Sequence, residues 1–160
     1  MENNKEAAAR LVQLKTQLVS QGHTRQLLAE TDLMTLRIHC YAPGIGENAL
    51  HSHTKEDHIF LVLQGTAQFN TGRDGKTLLE ASKNQAVVLP AGCYYQFRNS
   101  GDAPLVMARI GAGQDKSDMR LNPDGTPIPG RTHEQGAAKP VLIEGAFLNK
   151  PETYVLPSYR

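Results

Sequence analysis

The chain has 160 residues, with 17 Lys and Arg against 16 Asp and Glu for a formal net charge of +1. That length suits one domain burying about 70% of its extended surface, and charges this evenly balanced argue against nucleic acid or an anionic membrane surface as the main partner. Two cysteines make no disulfide framework, no apolar run approaches the roughly 20 residues of a membrane-spanning helix, and the N-terminus lacks a signal-peptide core, so a cytoplasmic protein is expected.

Taken in order, Ala7 to Val19 places Leu11, Leu14 and Leu18 at helical spacing, flanked by Val12 and Val19, with Gly22 as a stop. This predicts an N-terminal helix within residues 1–23. Leu33 to Tyr41 alternates as a strand does, with Met34, Leu36, Ile38 and Cys40 on one face and Thr35, Arg37 and His39 on the other. Solvent is the expected surrounding of Arg37 and His39; an inward face would let Arg37 bind a substrate carboxylate. Ile59 to Phe69 is the longest strand signal, and Asp74-Gly75 is a hairpin cue. Thr77 to Glu80, Ala86 to Leu89, Cys93 to Phe97 and Leu105 to Ile110 add short strands. Runs such as AVVL, apolar at consecutive positions, predict burial on both faces. The fold class is all-β, an antiparallel sandwich or barrel over residues 24–110. Residues 111–160, rich in Gly and Pro at first, read as a long irregular C-terminal extension, with Val141 to Ile143 and Ala146 to Leu148 docking on the barrel or a partner subunit.

Three of the six histidines, His51, His53 and His58, fall within eight positions. The H-x-H pair on an extended segment points both rings to one face. A short turn over Thr54 to Asp57 then returns the chain and sets His58 opposite them. Three imidazoles converging in an apolar interior call for a divalent metal. Glu56 is an alternative ligand if the turn is one residue tighter, with Asp57 a lesser candidate. Phe60, Val62 and Phe97 follow the ligand parity and are expected to form an apolar pocket wall, with Cys93 beside them. His133 reads as a solvated residue of the extension, or part of a lid.

These residues resemble the cupin superfamily of small jelly-roll β-barrels. The family's first motif, G-x5-H-x-H-x3,4-E-x6-G, is met by His51, His53 and Gly65, with His58 in the acidic slot and Gly44 and Gly46 bracketing the first glycine. The second, G-x5-P-x-G-x2-H-x3-N, is met by Pro90, Gly92 and Asn99, with Asn84 replacing the glycine and Tyr95 the histidine. The resemblance implies one divalent transition metal per chain on His51, His53 and His58. Fe(II) is favoured, with Zn, Ni, Mn, Co or Cu as alternatives. Tyr95 is a phenolate ligand, a neutral acid/base group near substrate, or an aromatic filling the barrel.

Three neutral imidazoles leave the cation's charge uncompensated, which favours an anionic small-molecule substrate. The resemblance therefore implies a dioxygenase-like oxidoreductase; the alternatives are a non-redox isomerase, lyase or cyclase, and a non-catalytic binding cupin. A homodimer is expected, without nucleic acid or membrane partners.

Overall fold

The computed structural model describes residues 7–113, 117–129 and 139–148. Twelve strands appear among them: β1 (Gln17–Gln21), β2 (His23–Glu30), β3 (Met34–Tyr41), β4 (Gly46–His53), β5 (Asp57–Gln64), β6 (Thr66–Thr71), β7 (Thr77–Ser82), β8 (Ala86–Leu89), β9 (Tyr95–Asn99), β10 (Leu105–Ala112), β11 (Arg120–Leu121) and β12 (Val141–Phe147). Two five-stranded sheets, ordered β2-β3-β10-β5-β8 and β11-β4-β9-β6-β7, face each other, and β1 and β12 form a separate two-stranded ribbon. The assigned pairings are antiparallel.

Alternation builds the interior. In β5, β6 and β9 every second residue is buried, and Tyr41, Phe60, Val62, Phe69, Phe97, Leu105 and Met107 meet there with Tyr95. The run from Ile59 to Phe69, read as one strand, is two: Gly65 turns the chain at φ +83°, where its hydrogen lies against the Leu105 backbone. A second apolar cluster lies on the outer face of the first sheet, where Ile38, Cys40, Ala42 and Val106 are covered by Val19 and Leu148.

That outer cluster corrects three expectations. The helix predicted over residues 7–19 does not form: residues 7–16 carry no regular structure, and Gln17–Gln21 is a strand whose Val19 pairs with Leu142. Leu14 and Leu18 pack on the cluster while Leu11 is 94% exposed, so helical spacing marked residues that a distant strand recruits instead. In β3 the apolar set Ile38 and Cys40 faces this outer cluster, and the inner face carries Tyr41 and His39, which is buried rather than solvated. In AVVL, Val87 and Leu89 are buried but Val88 is 62% exposed, because β8 is an edge strand with one covered face. Among the described residues, no helix is long and apolar enough to cross a membrane. His133 lies outside the described residues.

Candidate metal centre

His51 and His53 stand on β4 in the second sheet, and His58 on β5 in the first, so the turn at residues 54–56 carries the chain from one sheet to the other. Ser52, between the two histidines, alternates to the opposite face, as strand geometry requires. Tyr95 opens β9 directly opposite His51. The rings converge: centroids lie 5.3 Å apart for His51 and His53, 4.2 Å for His53 and His58, and 4.7 Å for His51 and Tyr95. His51, His58 and Tyr95 are buried, and His53 is partly so.

Hydrogen bonds fix which nitrogen each ring presents. His51 Nδ1 lies 2.7 Å from the Ala49 carbonyl, which only accepts, so Nδ1 carries the proton. His53 Nδ1 donates to Asp118 at 2.8 Å. At His58, Arg109 Nη2 lies 2.8 Å from Nε2. A guanidinium only donates, so Nε2 is the acceptor and Nδ1–H donates to the Tyr95 hydroxyl at 3.1 Å. Glu56 Oε2, 3.1 Å from the same Nε2, is then a second electron-rich atom beside it rather than a hydrogen-bond partner.

All three imidazoles thus hold their Nδ1 protons against oxygen and leave Nε2 as the lone-pair nitrogen, which at His58 accepts from Arg109. His51 Nε2 is buried and has no protein partner. His53, Glu56 and His58 each offer a ligand atom within 4.8 Å of the others. A divalent cation fits such a donor set, and the outer bonds to Ala49, Asp118 and Tyr95 are of the kind that orient metal-ligating histidines. Glu56 therefore joins the candidate ligands.

Electrostatics favour the neutral rings of His53 and His58. Burial first, then the Arg109 guanidinium, holds His58 down to about 2. Burial also lowers His53, against the opposing pull of Asp118. Burial works to raise the Asp118 carboxyl, but hydrogen bonds from His53 and from the Lys55 and Glu56 backbones outweigh it and hold it below the usual range. Burial, followed by Glu47, pushes Tyr95 well above the ordinary phenol value. With its oxygen committed to His58, Tyr95 is in this geometry a neutral phenol.

Sequence reasoning missed Asp118 and Arg109. Asp118 also accepts from the Lys55 and Glu56 backbone N–H groups, at 2.7 and 3.2 Å, tying the turn that separates the ligands. It lies in a stretch without periodicity, 65 residues from His53. Arg109 is the fifth residue of β10, on the inward parity of Leu105 and Met107, and its register opposite Phe60 is what places it beside His58. Phe60, Val62 and Phe97 lie in the interior cluster, and Cys93 packs against it partly buried. Burial raises the Cys93 thiol, which keeps it protonated.

The cupin domain family matches residues 37–111, the segment that carries both histidine-bearing strands. This segment is a cupin domain. Solved structures agree on the fold: KdgF from Halomonas sp. is 20% identical, with 59% of this chain and 82% of that one covered at a TM-score of 0.51. The Cnp3 cupin domain of Schizosaccharomyces pombe is 17% identical, covering 60% and 68% at 0.52. A double-stranded β-helix domain protein from Klebsiella pneumoniae is 18% identical, covering 62% and 84% at 0.54. No curated protein matches the chain.

The departures from the cupin motifs have local reasons. Asn84, in the glycine slot, adopts φ 69° and donates its backbone N–H to the Val62 carbonyl; asparagine is the common substitute where a left-handed residue is needed. The motif residue Asn99 is structural: its buried amide donates to the Tyr41 and Ala103 carbonyls and accepts from the Gly101 N–H.

Proposed function

We propose that this cupin is a metal-dependent enzyme acting on a small anionic molecule, with His51, His53 and His58 as ligands and Fe(II) dioxygenase-type chemistry as the leading reading. The observation that carries the metal is the group of His53, Glu56 and His58 donor atoms within 4.8 Å of one another, with the buried, unpartnered Nε2 of His51 on the adjoining ring. When bound, a divalent cation supplies Lewis acidity and open positions for an anionic substrate, and iron adds access to redox chemistry. The chain's own residues do the rest. Asp118 and Tyr95 hold the His53 and His58 tautomers, and Tyr95 can pass a proton at its hydroxyl to a substrate placed beside it. Phe60, Val62 and Phe97 exclude water.

The second reading is non-redox, with Zn, Ni or Mn in an isomerase, lyase or cyclase. Glu56 favours it: a carboxylate in the ligand set places one negative charge on the metal, which suits a Lewis acid that needs no electron transfer. Fold alone does not choose between them.

Titration of metal-free protein with Fe(II) or Zn against a competing chelator is expected to give one site per chain. His53→Ala is expected to weaken it by at least about 100-fold, and Asp118→Asn, which keeps an acceptor but loses the charge, by about 10–100-fold. Wild-type affinity in His53→Ala would remove the site. Oxygen uptake by the iron-loaded protein over a panel of small acids and thiols separates the readings, since turnover that is equally fast with zinc and consumes no oxygen selects the second.

We further propose a cytoplasmic homodimer. Free Cys40 and Cys93 suit a reducing compartment. The edge strands β7 and β8 leave Leu78, Leu79 and Val88 exposed, where a second copy would cover them. Sedimentation equilibrium at micromolar concentration is expected to show one dimer-sized species; a monomer at that concentration rejects it.

A further inference from the structure

Beside the candidate metal ligands, the inner face of the first sheet collects donors. Register places Arg37 of β3 directly opposite Arg109 of β10. Like charges directly opposite one another on neighbouring strands repel, and these are partly buried at the barrel's inner face. One step along β3, on the same face, His39 stands between Met107 and Arg25.

His39 is 4% exposed, and its Nε2 finds no hydrogen-bond partner among the described residues. Its protonation follows from a chain of bonds. Arg25 hydrogen-bonds the Tyr41 hydroxyl oxygen, and a guanidinium only donates. Tyr41, a phenol that burial keeps protonated, lies 2.9 Å from His39 Nδ1 and can give it its own proton. In that arrangement Nε2 carries the proton of the neutral ring. A buried N–H without an acceptor is costly, which points to a ligand that supplies one.

Phe60 links the two ends of this surface. Its ring lies 6.3 Å from His39 and 6.5 Å from His58, edge to face with both. Arg109 donates at the His58 end, and the His39 Nε2–H at the other. Donors over an aromatic floor fit a group that only accepts, and Glu56 nearby disfavours a dianion.

We propose that Arg109 and His39 form a carboxylate-binding subsite, with Arg37 adding positive potential. The substrate would be a small carboxylic acid whose acid group lies over Phe60 while a second oxygen donor reaches the imidazole trio. The second part rests on the metal reading above; the first does not.

The probes are acetate and pyruvate, titrated by calorimetry and NMR into metal-free and zinc-loaded protein. Both are expected to bind the metal-free protein. Arg109→Gln and Arg109→Lys should each weaken pyruvate at least about tenfold, because lysine keeps the charge but not the planar fork. In wild-type protein, saturation with pyruvate should shift the His39 Nε2–H resonance, a readout that needs no variant to fold. Zinc should strengthen pyruvate more than acetate. Pyruvate binding indifferent to Arg109, or a stationary His39 resonance, overturns the subsite even if zinc binds. If zinc fails to bind while pyruvate still depends on Arg109 and moves His39, the subsite stands and the metal reading falls.

Discussion

Gly46→Ala is expected to destabilise the protein by at least about 3 kcal/mol, at the upper end of what overpacking does. A Cβ at Gly46 would lie 2.0 Å from the Phe97 carbonyl oxygen and 2.5 Å from the Arg98 Cα. Both obstacles are backbone, so no rotamer change relieves them. Gly46 opens β4 and pairs with Arg98 of β9, so relief requires parting the strand that carries His51 and His53 from the strand that carries Tyr95. Gly44→Ala provides the control. It meets nothing within 4 Å but adopts φ +76°, and should cost only the left-handed penalty of about 1–2 kcal/mol. Urea denaturation reads both; for a protein of this size 3 kcal/mol lowers the midpoint by about 1–2 M. Equal midpoints for the two variants would show that the strands tolerate the methyl.

The second large effect is acid destabilisation of the metal-free protein. Burial is the main force lowering His39, His53 and His58, with arginines adding at His39 and His58. Each is neutral when folded and takes a proton on unfolding once the pH drops below the free-histidine value of about 6.5. Groups with depressed folded values stabilise fully above the unfolded pKa and lose that stability as pH falls through it. The loss approaches about 1.4 kcal/mol per pH unit per histidine, so His39 and His58 together remove roughly 3 kcal/mol between pH 6.5 and 5, and His53 acts in the same direction. Burial raises Glu56, which works in the opposite direction and offsets part of this. The Asp118 carboxyl is lowered, so its contribution is lost only at more acidic pH. Denaturation of metal-free protein at pH 7.5, 6 and 5 measures the slope, and histidine ¹⁵N shifts at pH 5 should show His39 and His58 as neutral rings. Titration of all three near pH 6.5 in the folded state would contradict the burial described here.

Why part of this site could be read in the sequence follows from distance along the chain. His51, His53 and His58 are set by strand parity and one short turn, both local. The glycine slots are local as well, and Asn84 could be placed there because its side chain tolerates the same backbone. Asp118 and Arg109 are set by pairings across dozens of residues, which leave no periodic trace. His39 was misjudged for a related reason. Polar residues on an alternating strand normally face water, but here the ribbon of β1 and β12 covers the apolar face of β3 and turns Arg37 and His39 toward the interior. Leu18 misled in the same way, since the partner that makes Gln17–Gln21 a strand lies at Val141 to Phe147.

That ribbon also sets an order of events during synthesis. Ser20 bonds to the Val141 carbonyl 121 residues further on, so closing the ribbon carries a large loop-closure cost and falls among the slowest contacts to form. Until the ribosome has released residues 141–148, Val19 lacks its strand partner and Leu148 is missing from the cover over Ile38, Cys40 and Val106. The emerging chain therefore keeps this sheet face only partly covered until its last described strand is made.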